Sequence, residues 1–419
     1  MSNQIKVQVD EIPVNVREDV IYEINQSNPN SYTHNFFKYP CKFIPEIPRW
    51  GIKSLYNGTG LILDPFSGSG TTLLEASLKG YSSMGCEIDD VAKLITKVKS
   101  TPLSGEELSE IKRITNIIVA SIESKSYLKD EIVLPKIDNL EHWFKDDILS
   151  DLGYLYHSIK QQSNENIKNF LLICMASIIK RVSNADDISP KPYVSNKIIK
   201  NPPDVAPTFF DTVVKYITAI EKISSLKMGE VKIQGDATHI LCDENSVGLA
   251  ITSPPYINAF DYVRTLRLEN LWLEMATEEE LRKKKKLYLG TESITTKKEK
   301  VNTLILNDSN LLNEYYRKIY QSDERRALIL KKFFEDMKSN LLEVHRALMP
   351  DSCYVIVIGN STIRNVDVES WKVLKDIAEK IGYKYVTHFG YEIKNPYIRI
   401  PRGKKGGKIS VDHILVVKK

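Results

Sequence analysis

The stretch Leu61-Ile-Leu-Asp-Pro-Phe-Ser-Gly-Ser-Gly-Thr-Thr72 limits what this chain can fold into more than any other part of it. A short apolar run ends in Asp64 and breaks at Pro65, a glycine-spaced turn follows, and Thr71–Lys79 has helical character. Strand, glycine loop, helix is how an α/β sheet opens a nucleotide pocket at the carboxyl end of its first strand. A phosphate-binding loop would place lysine after the second glycine, and Thr71 stands there instead. A dinucleotide turn expects three glycines, and here there are only Gly68 and Gly70.

The order of elements extends this unit. The first strand is expected at Gly60–Asp64, the loop at Pro65–Gly70, and a second strand at Ser82–Asp89 with a helix at Asp90–Lys99. Glu87 falls about twenty residues after the glycine turn, where a βαβ nucleotide unit places the acid that holds ribose hydroxyls. Helix-like apolar spacing then runs through Leu108–Ile122, Asp146–Gln161, Glu165–Val182 and Pro207–Ser224, so residues 101–228 read as a helical insertion. Sheet-forming runs resume at Val231–Ala237 and Val247–Thr252, followed by a helix at Ala259–Met275. Residues 276–328 are charged, and an irregular insertion is expected there. A helix at Ala327–Met349, a fully apolar strand at Cys353–Ile358, a helix at Glu369–Ile381, and strands at Tyr383–Tyr391 and His413–Val417 complete the chain. The last two strands have no helix between them and should pair as an antiparallel hairpin. The expected fold is α/β: a Rossmann-like, seven-stranded, mostly parallel sheet with helical and charged insertions.

The chain of 419 residues is long enough for such a domain with large insertions. Its parts divide as a lid segment and donor-binding half at 1–100, the helical insertion at 101–228, and catalytic strands at 229–275. The charged insertion at 276–328 is a candidate for target recognition, and residues 329–419 return to the catalytic sheet. Five scattered cysteines without a CxxC pair argue against a zinc site and for a reducing cytosol. No apolar run approaches the length of a membrane span, and neither a metal nor a membrane partner is expected.

Three acids, Asp64, Glu87 and Asp236, close three successive strands and should line one edge of the pocket. Acids without a partnering lysine suit a ligand with a cationic amine and a sulfonium, and S-adenosylmethionine fits: Glu87 at the ribose, Asp236 at the adenine amine, Asp64 near the methionine end. The second deciding motif is Thr252-Ser-Pro-Pro-Tyr256 at the end of the fourth strand. A nucleobase amine is a poor nucleophile, because its lone pair is delocalised into the ring. A site that accepts hydrogen bonds from its N–H groups turns that lone pair toward the donor, and the Ser253 hydroxyl and Pro254 carbonyl can do so. Pro254 and Pro255 remove N–H donors that would repel the amine, and Tyr256 offers a ring for an unstacked base.

Asp64-Pro-Phe-Ser-Gly-Ser-Gly-Thr-Thr72 together with Thr252-Ser-Pro-Pro-Tyr256 resembles the DNA amino-methyltransferases, and most of all their cytosine-N4 branch. The resemblance implies a methyl-donor site for S-adenosylmethionine formed by Asp64, Pro65, Phe66, Ser67, Gly68, Ser69, Gly70, Thr71, Glu87, Ile88, Asp236 and Ala237. It implies a catalytic tetrapeptide Ser253, Pro254, Pro255 and Tyr256. The aromatic segment Tyr39-Pro-Cys-Lys-Phe-Ile-Pro45 looks like the family's segment that closes over the donor, which adds Lys42 and Phe43. Three prolines in the wider stretch His34–Pro48 are expected to prevent a regular helix through it, and a short helix is expected at Trp50–Tyr56. Double-stranded DNA is the implied partner, with a cognate restriction endonuclease as a further one. The basic loop with Arg399, Arg402, Lys404, Lys405 and Lys408 is the best candidate for gripping phosphates. Lys283–Lys286 reads equally well as a solvated helix paired with Glu278–Glu280. Pro40-Cys41 precedes the donor loop and lacks the surroundings of a C5-methylating nucleophile. Adenine N6, an RNA base amine, and a catalytically silent nucleic-acid-binding protein are the other readings.

Overall fold

The computed structural model describes residues 5–25, 28–40, 42–197, 199–257, 261–301, 303–394 and 409–419. Eleven strands occur among them: β1 Lys6–Val9, β2 Ile21–Ile24, β3 Leu61–Asp64, β4 Ser83–Cys86, β5 Val231–Gln234, β6 Val247–Thr252, β7 Leu348–Gly359, β8 Ser361–Ile363, β9 Val366–Val368, β10 Lys384–Glu392 and β11 Val411–Lys418. Nine form one sheet in the order β1-β2-β10-β11-β7-β6-β3-β4-β5, and β8 and β9 make a separate small hairpin. Only β11 runs against the others, pairing antiparallel with both β10 and β7. The fold is therefore α/β with a mostly parallel sheet and an antiparallel hairpin.

The alternation of side chains along the central strands explains why both faces must be covered. Leu63, Ala250, Tyr354, Ile356 and Leu415 point into one core with Phe333, Phe334, Leu341 and Leu374 from the helices at Glu324–Ala347 and Ser370–Ile381. Ile62, Leu249, Ile251, Val355, Val357 and Ile414 point into the opposite core with Trp50, Tyr22 and Phe389. A third core belongs to the helices at Gly105–Ser124, Asp146–Lys160, Glu165–Val182 and Val205–Ser224, which lie between β4 and β5 in the chain. It also takes in Phe36, Phe37 and Tyr39, and the Phe36 ring stacks on Tyr216 at 4.3 Å.

Several expectations are corrected. The sheet has nine strands instead of seven, because the four-residue runs at Lys6–Val9 and Ile21–Ile24 extend its edge, with Tyr22 paired to Tyr391. The short helix expected at Trp50–Tyr56 begins earlier, within the Pro-rich stretch, and runs over Glu46–Leu55. Pro45 sits at its N-cap and Pro48 in its first turn, where a missing N–H is no loss. Residues 276–328 are largely helical: Glu278–Lys284, Thr296–Val301 and Asn310–Ser322 alternate with short links. The last of these buries Leu312, Tyr315 and Ile319 along one stripe, which its exposed charges obscure in the sequence. The helix expected at Ala259–Met275 is broken at Leu266 into Tyr262–Thr265 and Arg267–Trp272.

Candidate active site

In the sheet β6, β3, β4 and β5 are neighbours and parallel, so Asp64, Glu87 and Asp236 stand at adjacent strand ends. The loop between β3 and its helix is folded onto β4. The Ser67 N–H and hydroxyl both donate to the Cys86 carbonyl, at 3.0 and 3.1 Å, and Gly70 N donates to the Ser67 carbonyl at 2.7 Å. Gly68 and Gly70 have φ of 50° and 72°, the left-handed region that side chains resist. A Cβ on Gly70 would lie 2.4 Å from Thr96 Cγ2, so the backbone here passes where no side chain fits. The Thr96 hydroxyl fixes the turn by donating to the Gly68 carbonyl at 3.2 Å. Pro65, Ser67, Ser69 and Thr71 are buried, while Phe66 and Gly68 are half-buried.

Asp64 is fully buried. Its Oδ1 accepts from the Thr252 hydroxyl at 2.6 Å and from Phe66 N at 3.1 Å, and Oδ2 has no hydrogen-bond partner among the described residues. Burial pushes its carboxyl up to about 6, against the lowering pull of the Thr252 bond. Glu87 is half-buried, and its Oε1 accepts from Ile88 N and Asp89 N, both at 2.8 Å. Burial, and then the nearby Asp89 carboxylate, push Glu87 up to about 7. Asp236 is exposed and closes a turn on Thr238, whose N–H and hydroxyl donate to it at 2.7 and 2.8 Å. The Ala237 carbonyl accepts from Asn340 at 2.7 Å, and Ile88 is half-buried beside Glu87.

On the neighbouring strand Thr252 joins this pocket to Ser253-Pro-Pro-Tyr256. Its hydroxyl donates to Asp64 and accepts from Phe66 N at 3.1 Å, so one side chain ties β6 to both the strand end and the loop of β3. Ser253 and Pro255 are half-buried and Pro254 is buried. Tyr256 is half-buried, and its hydroxyl donates to Asp412 Oδ1 on β11 at 2.5 Å.

The N-terminal segment packs over the same end of the sheet. The Tyr39 ring lies against Gly68, where a Cβ would sit 3.2 Å from Tyr39 Cε1. Tyr39 is the first of three near-parallel rings, with Tyr262 at 6.1 Å and Tyr288 a further 6.0 Å on. Lys42 donates to the His34 carbonyl at 2.7 Å, and burial lowers it to about 8. Phe43 is buried in the core that holds Trp50. Behind it, Glu75 accepts from Arg49 Nε and Nη2 at 2.7 Å each and bonds His34 Nε2 at 2.7 Å. This network anchors the segment to the helix that follows the glycine loop. Lys284 and Lys285 are engaged by Asp90 and Asp261, and Lys283 by Glu279. The basic run therefore pairs across elements as well as within its own helix. Arg399, Arg402, Lys404, Lys405, Lys408 and Cys41 lie outside the described residues. Among the described residues no three metal-binding side chains converge, and no helix is long and apolar enough to cross a membrane.

Three contributors to the site have no role assigned from the sequence: Thr252 and Tyr39, which stand inside the quoted motifs, and Asp412, which stands in none. Thr252 stands beside the tetrapeptide, and its inward register on a fully buried strand was the available clue. Asp412 is an acid in an otherwise apolar strand, Val411-Asp-His-Ile-Leu-Val-Val417. Tyr39 opens the aromatic segment that resembles a donor-closing one, and nothing in the sequence singles its ring out from its aromatic neighbours.

The sheet order, the glycine loop and the acids at adjacent strand ends make a Rossmann-like α/β fold of the kind methyltransferases use. A family model described as DNA methylase, covering N6 and N4 enzymes, matches residues 3–98. The chain is 24% identical over 88% of its length to the type II methyltransferase M.MvaI of Kocuria varians, covering 86% of that protein. It is 27% identical over 59% of its length to M.BsoBI of Geobacillus stearothermophilus, covering 54% of it, and 21% identical over 88% to M.AvaI of Nostoc sp., covering 82%. Among solved structures, a SAM-dependent methyltransferase from Methanosarcina mazei aligns over 88% of this chain and 96% of its own, at 9% identity and a TM-score of 0.31. These comparisons liken the chain to DNA amino-methyltransferases of the N6 and N4 type.

The residues at the site fit S-adenosylmethionine as the methyl donor. The buried Asp64 Oδ2, an acceptor without a hydrogen-bond partner among the described residues, stands at the strand end that opens the glycine loop.

Proposed function

We propose that this chain methylates the exocyclic N4 amine of cytosine in a short double-stranded DNA site, with the target base taken out of its stack. The observation that carries the reading is Ser253-Pro254-Pro255-Tyr256 at the carboxyl end of β6, tied through Thr252 to Asp64 of the glycine loop. Bound S-adenosylmethionine supplies an electrophilic methyl group. Asp64, the loop Pro65–Thr71, Glu87, Ile88, Asp236 and Ala237 would hold it, with Lys42 and Phe43 on the closing segment. Glu87 has one oxygen engaged by backbone N–H groups, which leaves the other for ribose hydroxyls.

The rest is positioning. The Ser253 hydroxyl and the Pro254 carbonyl accept the two amine N–H bonds, which draws the lone pair out of conjugation and aims it at the methyl group. Pro255 contributes no N–H to compete for those acceptors. Tyr256 presents a ring to the extruded base. Serine at the first position of the motif favours cytosine N4, because adenine-N6 members more often carry Asp or Asn there. The basic loop Arg399–Lys408 supplies charge for the DNA backbone. The relatives' names as type II methyltransferases support a place in a bacterial or archaeal restriction-modification system, in the cytosol beside a cognate endonuclease.

Ser253→Ala tests the assignment. Methyl transfer to DNA should fall by about a hundredfold or more, as for loss of a preorganised hydrogen-bonding group, while calorimetric donor affinity stays near wild type. A variant with wild-type turnover would remove Ser253 from the mechanism.

A further inference from the structure

Stacking a base on Tyr256 needs only the ring, so the hydroxyl calls for its own explanation. That hydroxyl donates to Asp412 Oδ1 at 2.5 Å, from a strand remote in sequence. Asp412 is 8% exposed and lies at the start of β11, paired across the sheet with Gly359 at the end of β7. Gly359 is where the ring edge rests: a Cβ there would sit 2.8 Å from Tyr256 Cε2 and 2.7 Å from Ile409 Cγ2. A side chain at position 359 would push the ring away. The Gly359–Asp412 pair thus offers a slot on one side and an acceptor at the far tip. Placing a carboxylate there is costly, since burial raises it to about 6 against the lowering pull of the Tyr256 bond. A cost of that kind at a strand end beside the site points to positioning.

We propose that Asp412 is a positioning residue that holds the Tyr256 ring, through its hydroxyl, in the plane on which the extruded base stacks, with Gly359 making room for it. The inference rests on the reading of Ser253–Tyr256 as the base-methylating motif. Asp412 does not touch the base and exchanges no proton with it. Its effect reaches the reaction only through the ring.

The test is a double-mutant cycle in the full-length enzyme on a DNA substrate, with Tyr256→Phe, Asp412→Val, the double variant and Asp412→Asn. Turnover and donor affinity are measured separately for each. Each single variant should lower kcat by about tenfold, the order expected for one hydrogen bond to a charged group, with donor affinity within about twofold. The double variant should be no slower than either single one, because both remove the same contact. Asp412→Asn keeps a carbonyl acceptor and should recover most of the loss. Wild-type turnover for Tyr256→Phe, or losses that multiply in the double variant, would overturn the proposal. Should Asp412→Val fail to fold, Tyr256→Phe alone decides, since it removes the bond from the half-buried partner. Ser253→Ala in the same assay separates the two levels. If it is inactive while Tyr256→Phe and Asp412→Val match wild type, the positioning role falls and the motif stands. If it is fully active, both fall.

Discussion

Replacing Asp64 by Asn should stabilise the protein at neutral pH and weaken its hold on the methyl donor. Asp64 is fully buried, and its carboxyl rises from the ordinary 3.8 to about 6, chiefly through burial. An acid whose folded value is raised binds its proton more tightly in the folded state. The folded state is therefore favoured at low pH, and the cost of the ionised group grows as pH climbs from the ordinary value through about 6. Above that it is complete, and the shift corresponds to about 3 kcal/mol. Asn keeps an oxygen for the Thr252 hydroxyl and Phe66 N but carries no charge, so its stability lacks this titration. Its amide would replace the unpartnered Oδ2, which adds an offset that does not vary with pH. The pH-dependent part is thus the diagnostic: the advantage of Asp64→Asn over wild type should grow by about 2 kcal/mol between pH 4.5 and pH 8. For a chain of this size that is about 2 °C in the midpoint of thermal unfolding. Tryptophan-monitored melting across that pH range measures it, and titration calorimetry at pH 8 should show weaker donor binding. A stability gap that stays flat with pH would refute the burial argument. Donor affinity equal to wild type would remove the Asp64 charge from the pocket.

Two further outcomes follow from the same pocket. Gly70→Ala places a Cβ in a left-handed backbone and 2.4 Å from Thr96 Cγ2, so stability should fall by about 2–4 kcal/mol. Donor binding should weaken with it, and melting and calorimetry together check both; a variant within 1 °C of wild type, on the scale of about 1 °C per kcal/mol, would contradict the tight turn. Glu87→Ala should weaken donor binding by about tenfold to a hundredfold, the value of hydrogen bonds to a charged acceptor. Unchanged affinity would place the ribose elsewhere.

The parts of the fold that could be read from sequence are those with local causes. Val247–Thr252 and Cys353–Ile358 announce buried parallel strands by being apolar nearly throughout; β6 spans the first run and the longer β7 contains the second. The glycine loop is equally local, since Gly68 and Gly70 need their left-handed backbone whatever surrounds them. The edge strands β1 and β2 have no such autonomy. Four-residue runs become strands only because β10, more than 350 residues later, offers a free edge. The helix at Asn310–Ser322 was hidden for another reason, because its buried stripe is narrow and its other faces are charged and polar. In the site, residue types and spacing pointed to Asp64, Glu87, Asp236 and Ser253. No spacing rule could join Tyr256 to Asp412, or Thr252 to Asp64, 188 positions apart. Those contacts exist only once the strand order is known.

The central claim is that the Ser-Pro-Pro-Tyr site acts on cytosine N4. Incubating the enzyme and unmethylated double-stranded DNA with isotopically labelled S-adenosylmethionine, then digesting to nucleosides for mass spectrometry, tests it most directly. Label should appear in N4-methyldeoxycytidine. Label in N6-methyldeoxyadenosine, or none in any deoxynucleoside, would contradict it.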